Sequence, residues 1–137
     1  MIVFHIGEES SEYVRVSNLR DNGDGWFCAD VEVVVGGFRG TYSADFNSWA
    51  FSNFHAELEK LHRTVSGSAV FTSYERQLEL TLSCNTAGQI GVRGEAIDAA
   101  GIGNRLGFNL EIDQTYVPTI LEHLRLALER HPPRLPS

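Results

Sequence analysis

The chain has 137 residues, of which 42% are apolar and 21% charged, and it contains two cysteines. This size predicts one domain over residues 1–137 that buries a core without help from a metal or a disulfide. A formal charge of -7, from eleven basic and eighteen acidic residues, argues against nucleic acid or an anionic membrane surface as the main partner.

The first third of the chain predicts an antiparallel meander of four strands. Apolar and polar residues alternate in each segment, and turn residues separate the segments. The sequence Asp-Asn-Gly-Asp-Gly at residues 21–25 is the strongest turn signal, because glycine and asparagine tolerate positive φ. The predicted strands are residues 2–6, 13–19, 26–35 and 38–46.

The apolar period becomes helical from Asn47 or Ser48, and this helix ends at Ser66 and Gly67. Its predicted buried stripe is Phe51, Phe54, Leu58, Leu61 and Val65. Three or four more strands follow, at residues 68–73, 77–84, 89–97 and 105–112.

A second helix follows the last strand directly. We expect Thr115 to cap its first turn and Pro118 to lie early enough that its missing N–H costs little. Its stripe, if fully buried, offers on the order of 7–15 kcal/mol before entropy is subtracted, and must pack on the sheet. The stripe residues are Val117, Ile120, Leu121, Leu124 and Leu128. Residues 131–137, with three prolines, read as a frayed tail.

This order predicts an α+β fold, with an antiparallel, curled sheet of seven or eight strands in two four-strand runs and two helices. The halves look duplicated, because Asp45 and Asp113 each precede a helix. Residue identity supports no repeat, so coincidence and an old duplication both remain open.

Histidines and glycines give no convincing cofactor site. His55 and His62 are seven residues apart on the first helix, whereas ligands on neighbouring turns are three or four apart, so we read them as helix-flank residues. His5, His123 and His131 add no ligand set. The glycine run at residues 101–107 precedes a strand, whereas a dinucleotide loop opens a helix, so we expect a β-turn with a close backbone approach.

Two pairs of carboxylates share strand faces. The pairs lie two residues apart: Asp30 with Glu32, and Glu111 with Asp113. Acid and base chemistry would need burial that separates the two pKa values of a pair, and the sequence shows no such burial. Same-face carboxylates are usually solvated.

The remaining reactive residues favour structural roles. No nucleophile elbow or other hydrolase signature is present. Cys28 and Cys84 are expected to be buried thiols, with no disulfide. Trp26 and Trp49 are core residues or exposed anchors of an interface. We therefore assign no catalytic, cofactor-binding or metal-binding residue and expect no cofactor.

The stretch GNRLGFNLEIDQTYVP, residues 103–118, resembles the small bacterial proteins grouped as WapI-type immunity proteins and their uncharacterised relatives. Those proteins end in a similar strand, an Asp-Gln-Thr/Ser-Tyr-Leu-Pro turn and a helix; Val117 stands where leucine is commoner. The resemblance extends back through FHAELEKL, GSAVF and LELTL, and covers residues 26–128 approximately.

This resemblance implies a non-enzymatic protein, in some members an antitoxin that binds and blocks a toxin from the same locus. It also implies that Asp113 and Gln114 hold the strand-to-helix turn by accepting backbone N–H bonds. No partner-binding residue can be carried over.

The leading hypothesis is an immunity-type inhibitor whose acidic surface complements a basic toxin. A small-ligand carrier or enzyme with an apolar cavity between sheet and helix is one alternative. An oligomeric accessory protein that uses an exposed strand edge, for instance as a homodimer, is the other. The N-terminus has no basic region and no segment has the roughly 18 apolar residues of a membrane span, so we expect a cytoplasmic protein.

Overall fold

The computed structural model of the chain describes residues 1–133. The order of four strands, a helix, four strands and a helix is confirmed, as is the α+β class. The strands are β1 Ile2–Gly7, β2 Tyr13–Gly23, β3 Trp26–Val35, β4 Phe38–Asn47, β5 Ser68–Phe71, β6 Leu78–Cys84, β7 Gln89–Ile97 and β8 Arg105–Asp113. The helices are α1 Trp49–Thr64 and α2 Val117–Arg130, with a 3₁₀ turn at Gln114–Tyr116 before α2.

The two four-strand runs form two separate antiparallel sheets. The first sheet has the order β1-β2-β3-β4 and the second has β5-β6-β7-β8, so each strand pairs only with its neighbours in sequence. The Gly36–Gly37 turn sets the register of β3 and β4, which pair without interruption from Val35 opposite Phe38 to Trp26 opposite Asn47. Both sheets are therefore simple meanders that local turns can build.

One apolar core is shared by the inner faces of both sheets and the buried faces of both helices. On β3 every second residue, from Phe27 to Val35, is buried, as the alternation predicts. Aromatic rings fill its centre: Phe71 of β5 contacts Phe4, Phe46 and Phe51 with ring centroids 5.2–5.4 Å apart.

The strand predicted at residues 68–73 ends already at Phe71. Three further details of the predicted elements are wrong. The turn at residues 21–25 is shorter, because β2 continues to Gly23 opposite Trp26 and only Asp24 and Gly25 reverse the chain, both at positive φ. Val65 does not join the α1 stripe: it ends that helix with φ 50° and is 45% exposed.

The third correction concerns the start of α2. Asp113, not Thr115, is the capping residue, and it caps the 3₁₀ turn before α2: its Oδ1 accepts a hydrogen bond from the Thr115 amide at 3.0 Å. Thr115 lies inside the 3₁₀ turn. Asp113 therefore accepts a backbone N–H bond as expected. Gln114 does so too, through its carbonyl, which accepts from the Val117 amide, and the Gln114 amide donates to the Gly88 carbonyl at 3.2 Å.

The α2 stripe is confirmed in its main part, since Val117, Ile120 and Leu124 are fully buried while Leu121 and Leu128 are partly buried against the core. The helix packs on β1 and α1. The predicted tail begins after α2, where the His131 amide still donates to the Ala127 carbonyl at 2.8 Å. Residues 134–137 of that prediction lie outside the described part of the chain.

Candidate functional site

The carboxylate pair Asp30 and Glu32 lies on the outer face of the first sheet, on β3. Glu32 accepts hydrogen bonds from Arg39 Nη2 at 2.6 Å, from the Tyr13 hydroxyl at 2.9 Å and from Arg15 Nη2. These bonds, that of Arg39 first, lower the pKa of Glu32 to about 2. Glu32 is therefore ionised at neutral pH and joins strands β2, β3 and β4.

Asp30 is held in a similar way. Its carboxylate accepts from Asn18 Nδ2 at 2.9 Å and from Arg20 Nη2 and Ser43 Oγ, both at 3.2 Å. The Asn18 bond contributes most to lowering the pKa of Asp30 below its ordinary value. Both pKa values thus move down rather than apart, which is typical of a structural ion-pair network and not of an acid and base pair.

The two carboxylates of the second pair, Glu111 and Asp113, have different environments. Glu111 is exposed on β8. Asp113 accepts from the Thr115 amide and, at 2.9 Å, from Gln89 Nε2, and the bond from Thr115 lowers its pKa. Asp113 is a capping residue that joins the end of β8 to β7 and to the turn before α2.

The histidines are dispersed. On α1, His55 is half-buried and His62 is exposed. His5 stacks on Tyr13 with ring centroids 4.9 Å apart, and the ring of His131 lies against that of Phe27 with centroids 6.0 Å apart. Burial, followed by the nearby Arg15 charge, lowers the pKa of His5. Within residues 1–133, no three His, Cys, Asp or Glu side chains are placed to hold a metal ion.

Both cysteines carry free thiols. Each is half-buried rather than buried, and Cys84 packs against the edge of the core. The Sγ of Cys28 lies 3.2 Å from Arg20 Nη2, on the outer face of the first sheet.

The predicted glycine loop connects β7 to β8. Asp98 Oδ1 accepts from the Asn104 amide at 2.7 Å and Oδ2 accepts from Asn104 Nδ2 at 3.1 Å, which closes the loop. A Cβ at Gly103 would overlap the Ala99 backbone. The expected close backbone approach is therefore present, in a turn that precedes a strand.

Both tryptophans are partly exposed at the same end of the first sheet. Trp26 lines a cleft of about 350 Å³ together with Asp24, Asp45 and Glu75. Trp49 packs edge to face on Tyr74, which is 76% exposed, with ring centroids 5.6 Å apart. Exposed aromatic side chains are enriched in protein interfaces.

A second concave surface, which sequence reasoning did not predict, lies between the two sheets. This groove of about 380 Å³ runs along β4 and has the end of the β7–β8 hairpin as its other wall. Its apolar lining includes Val33, Phe38, Tyr42, Ala96 and Leu106, and its charged residues are Arg39, Asp98 and Arg105. Because residues 33–42 and 96–106 are distant in sequence, no local pattern signals the groove.

The structure has no membrane-crossing helix within residues 1–133, since none is both long and apolar enough.

Solved structures, unlike curated proteins, give matches to this chain. No curated protein matches the sequence. Among solved structures, the crystal structures of MRP1/MRP2 from Trypanosoma bruciei are similar, with a TM-score of 0.51 and 14% sequence identity. The match covers 92% of this chain and 81% of that chain. At this identity, the similarity shows the fold alone. A CdiA-CT/CdiI toxin and immunity complex from Enterobacter cloacae matches with a TM-score of 0.43 and 11% identity, over 90% of this chain and 97% of that one.

The family comparison covers nearly the whole chain. The model of the immunity protein WapI-like family matches residues 5–132. That range includes both sheets and both helices except the first residues of β1. The chain belongs to the immunity protein WapI-like family.

Proposed function

We propose that this protein is an immunity-type inhibitor, which binds a bacterial toxin and blocks it by occupancy. The observation that carries the proposal is membership of the immunity protein WapI-like family over residues 5–132. The function needs a specific, stable surface and no reacting group. The carboxylates Asp30 and Glu32 are compatible with such a surface, because both are held in ion pairs with arginines.

The toxin we propose is basic and acts in the cytoplasm. The formal charge of -7 supports this, because opposite net charges accelerate encounter and disfavour wrong partners. The cleft around Trp26 supports it locally, since Asp24, Asp45 and Glu75 line it and no basic residue among residues 1–133 does. The chain would act as one cooperative domain, because both sheets contribute to one core.

The test is protection of cells from a toxin. Carboxy-terminal domains of large secreted toxins encoded beside this gene are expressed one at a time in a bacterial host, with and without this chain. We expect one domain to stop growth alone and growth to resume when the chain is present. A toxin domain from an unrelated locus is the matched control and should remain lethal.

A titration of purified components separates inhibition from catalysis. An inhibitor that acts by binding the toxin abolishes its activity only near a molar ratio of one chain per toxin. An enzyme that destroys the toxin acts at a small fraction of that ratio. Failure of a folded, well-expressed chain to neutralise any neighbouring toxin domain would contradict the proposal.

A further inference from the structure

The strand β4 is an edge of the first sheet, since within residues 1–133 it pairs only with β3. In an antiparallel edge strand, the N–H and C=O groups of alternate residues point away from the sheet. The amides of Asp45 and Asn47 do so, because they donate to Gln77 Oε1 at 3.0 Å and Ser73 Oγ at 2.8 Å. By the same alternation, the backbone groups of Arg39, Thr41 and Ser43 also point outward.

The outer half of this edge is open. Gln77 and Ser73 accept the outward amides of residues 45 and 47, respectively. Within residues 1–133, no hydrogen bond outside the strand ladder reaches the amides of Arg39, Thr41 or Ser43. Residues 39–43 contain no proline or lysine, the residues that often protect edges. A free edge of five residues, about 17 Å long, therefore offers three outward donors and three outward acceptors.

The open edge lies in the groove between the sheets. Residues 38–42 form one wall and residues 104–106 part of the other. Tyr42 and Leu106 are partly buried along the groove, and Phe38 at its end is 66% exposed. Unpaired backbone groups next to apolar pockets are what recognition by strand addition requires: the backbone supplies affinity and the pockets select side chains.

The charges of the groove favour one kind of occupant. Arg39 and Arg105 are each paired already, with Glu32 at 2.6 Å and Glu95 at 2.7 Å. Asp98 is bound only by uncharged donors of Asn104, so its charge has no cationic partner among the described residues. Two copies of a chain with a formal charge of -7 repel each other, which disfavours a second copy as the occupant.

We propose that an extended segment of a basic partner protein adds to β4 as a fifth strand at residues 39–43. One apolar side chain of that segment packs against Tyr42 and Leu106, and a Lys or Arg approaches Asp98. The inference rests on the proposed function, because it identifies this segment as part of the toxin.

Hydrogen exchange first tests whether the edge is open. In the free, monomeric chain, the amides of Arg39, Thr41 and Ser43 should exchange much faster than those of the ladder-bonded neighbours Gly40 and Tyr42. Slow exchange of these three amides in a monomer would show a closed edge, and slow exchange in a dimer would show that a second copy occupies it. Either result overturns the proposal.

The toxin domain that the chain neutralises then serves as the probe. Formation of the complex should slow exchange at Arg39, Thr41 and Ser43. The variant Thr41→Pro removes one outward N–H without touching the β3 ladder, and we expect it to weaken binding about tenfold or more. The matched control Thr41→Val keeps the amide and should bind like the wild type.

The outcomes separate the two proposals. Neutralisation with unchanged exchange at the three amides, and equal binding by folded Thr41→Pro, would overturn strand addition and leave the immunity function standing. Absence of any neutralised toxin overturns both. Because exchange is measured on the unmodified chain, the test holds even if the proline variant does not fold.

Discussion

At the scale of single residues, Glu32 is an electrostatic link between three strands. Its folded pKa of about 2 lies below its ordinary value of 4.5, so the stability it contributes is complete above about pH 4.5 and is lost as the pH falls towards 2. We predict that Glu32→Gln lowers the free energy of unfolding at pH 7 by about 1–2 kcal/mol, since Arg15 and Tyr13 lose a charged partner.

Urea unfolding at pH 7 and at pH 3 checks this prediction. The wild type should lose more stability between the two values than Glu32→Gln does, because the variant has no carboxylate to protonate. Glu111→Gln, an exposed site without a hydrogen-bond partner among the described residues, is the control. Equal acid sensitivity of wild type and Glu32→Gln would contradict the assigned role.

At the scale of elements, the pair β7 and β8 depends on a glycine under an aromatic ring. Phe108 lies opposite Gly94 and is 4% exposed, and a Cβ at Gly94 would overlap its ring. We predict that Gly94→Ala destabilises the fold by about 1–3 kcal/mol, as overpacking does. Gly91→Ala, on the same strand with open space around its Cβ, is the matched control.

Thermal or urea unfolding of both variants measures the difference. The free energy of unfolding should fall for Gly94→Ala and stay within about 0.5 kcal/mol of the wild type for Gly91→Ala, which is the range of ordinary surface changes. If both variants lose the same amount, the general β-propensity of the site and not the Phe108 contact would explain the effect.

Local patterns predicted the elements well where a single local signal determines the backbone conformation. Alternation located β3 to the residue, and the three- and four-residue spacing located both helices. Errors occurred where two local signals compete. Val65 continues an apolar stripe but adopts a helix-ending φ before Gly67, and both Asp113 and Thr115 are capping residues by type.

The candidate surfaces were less predictable because they are built from distant residues. Trp26 and Trp49 could be named as possible anchors from their positions at element starts, but the cleft with Asp45 and Glu75 requires the fold. The groove requires that β4 and the β7–β8 hairpin meet. Division of the eight strands into two sheets also depends on long-range packing rather than on any turn signal.

At the scale of the whole molecule, charge is the property that relates the fold to its proposed partner. A formal charge of -7 creates a long-range field that attracts a basic protein at low ionic strength. Salt screens such a field over about 8–10 Å near physiological ionic strength, so it affects the association rate more than the contacts made after docking. A rate that falls with salt, at a nearly constant dissociation rate, is the expected signature.

The most direct test of the immunity function is the binding of the purified chain to the purified toxin domain encoded beside its gene, measured by stopped-flow mixing and calorimetry at low and moderate salt. We predict a one-to-one complex whose association rate falls as salt increases. Absence of binding at either salt, with both proteins folded and the toxin active, would contradict the function proposed for this chain.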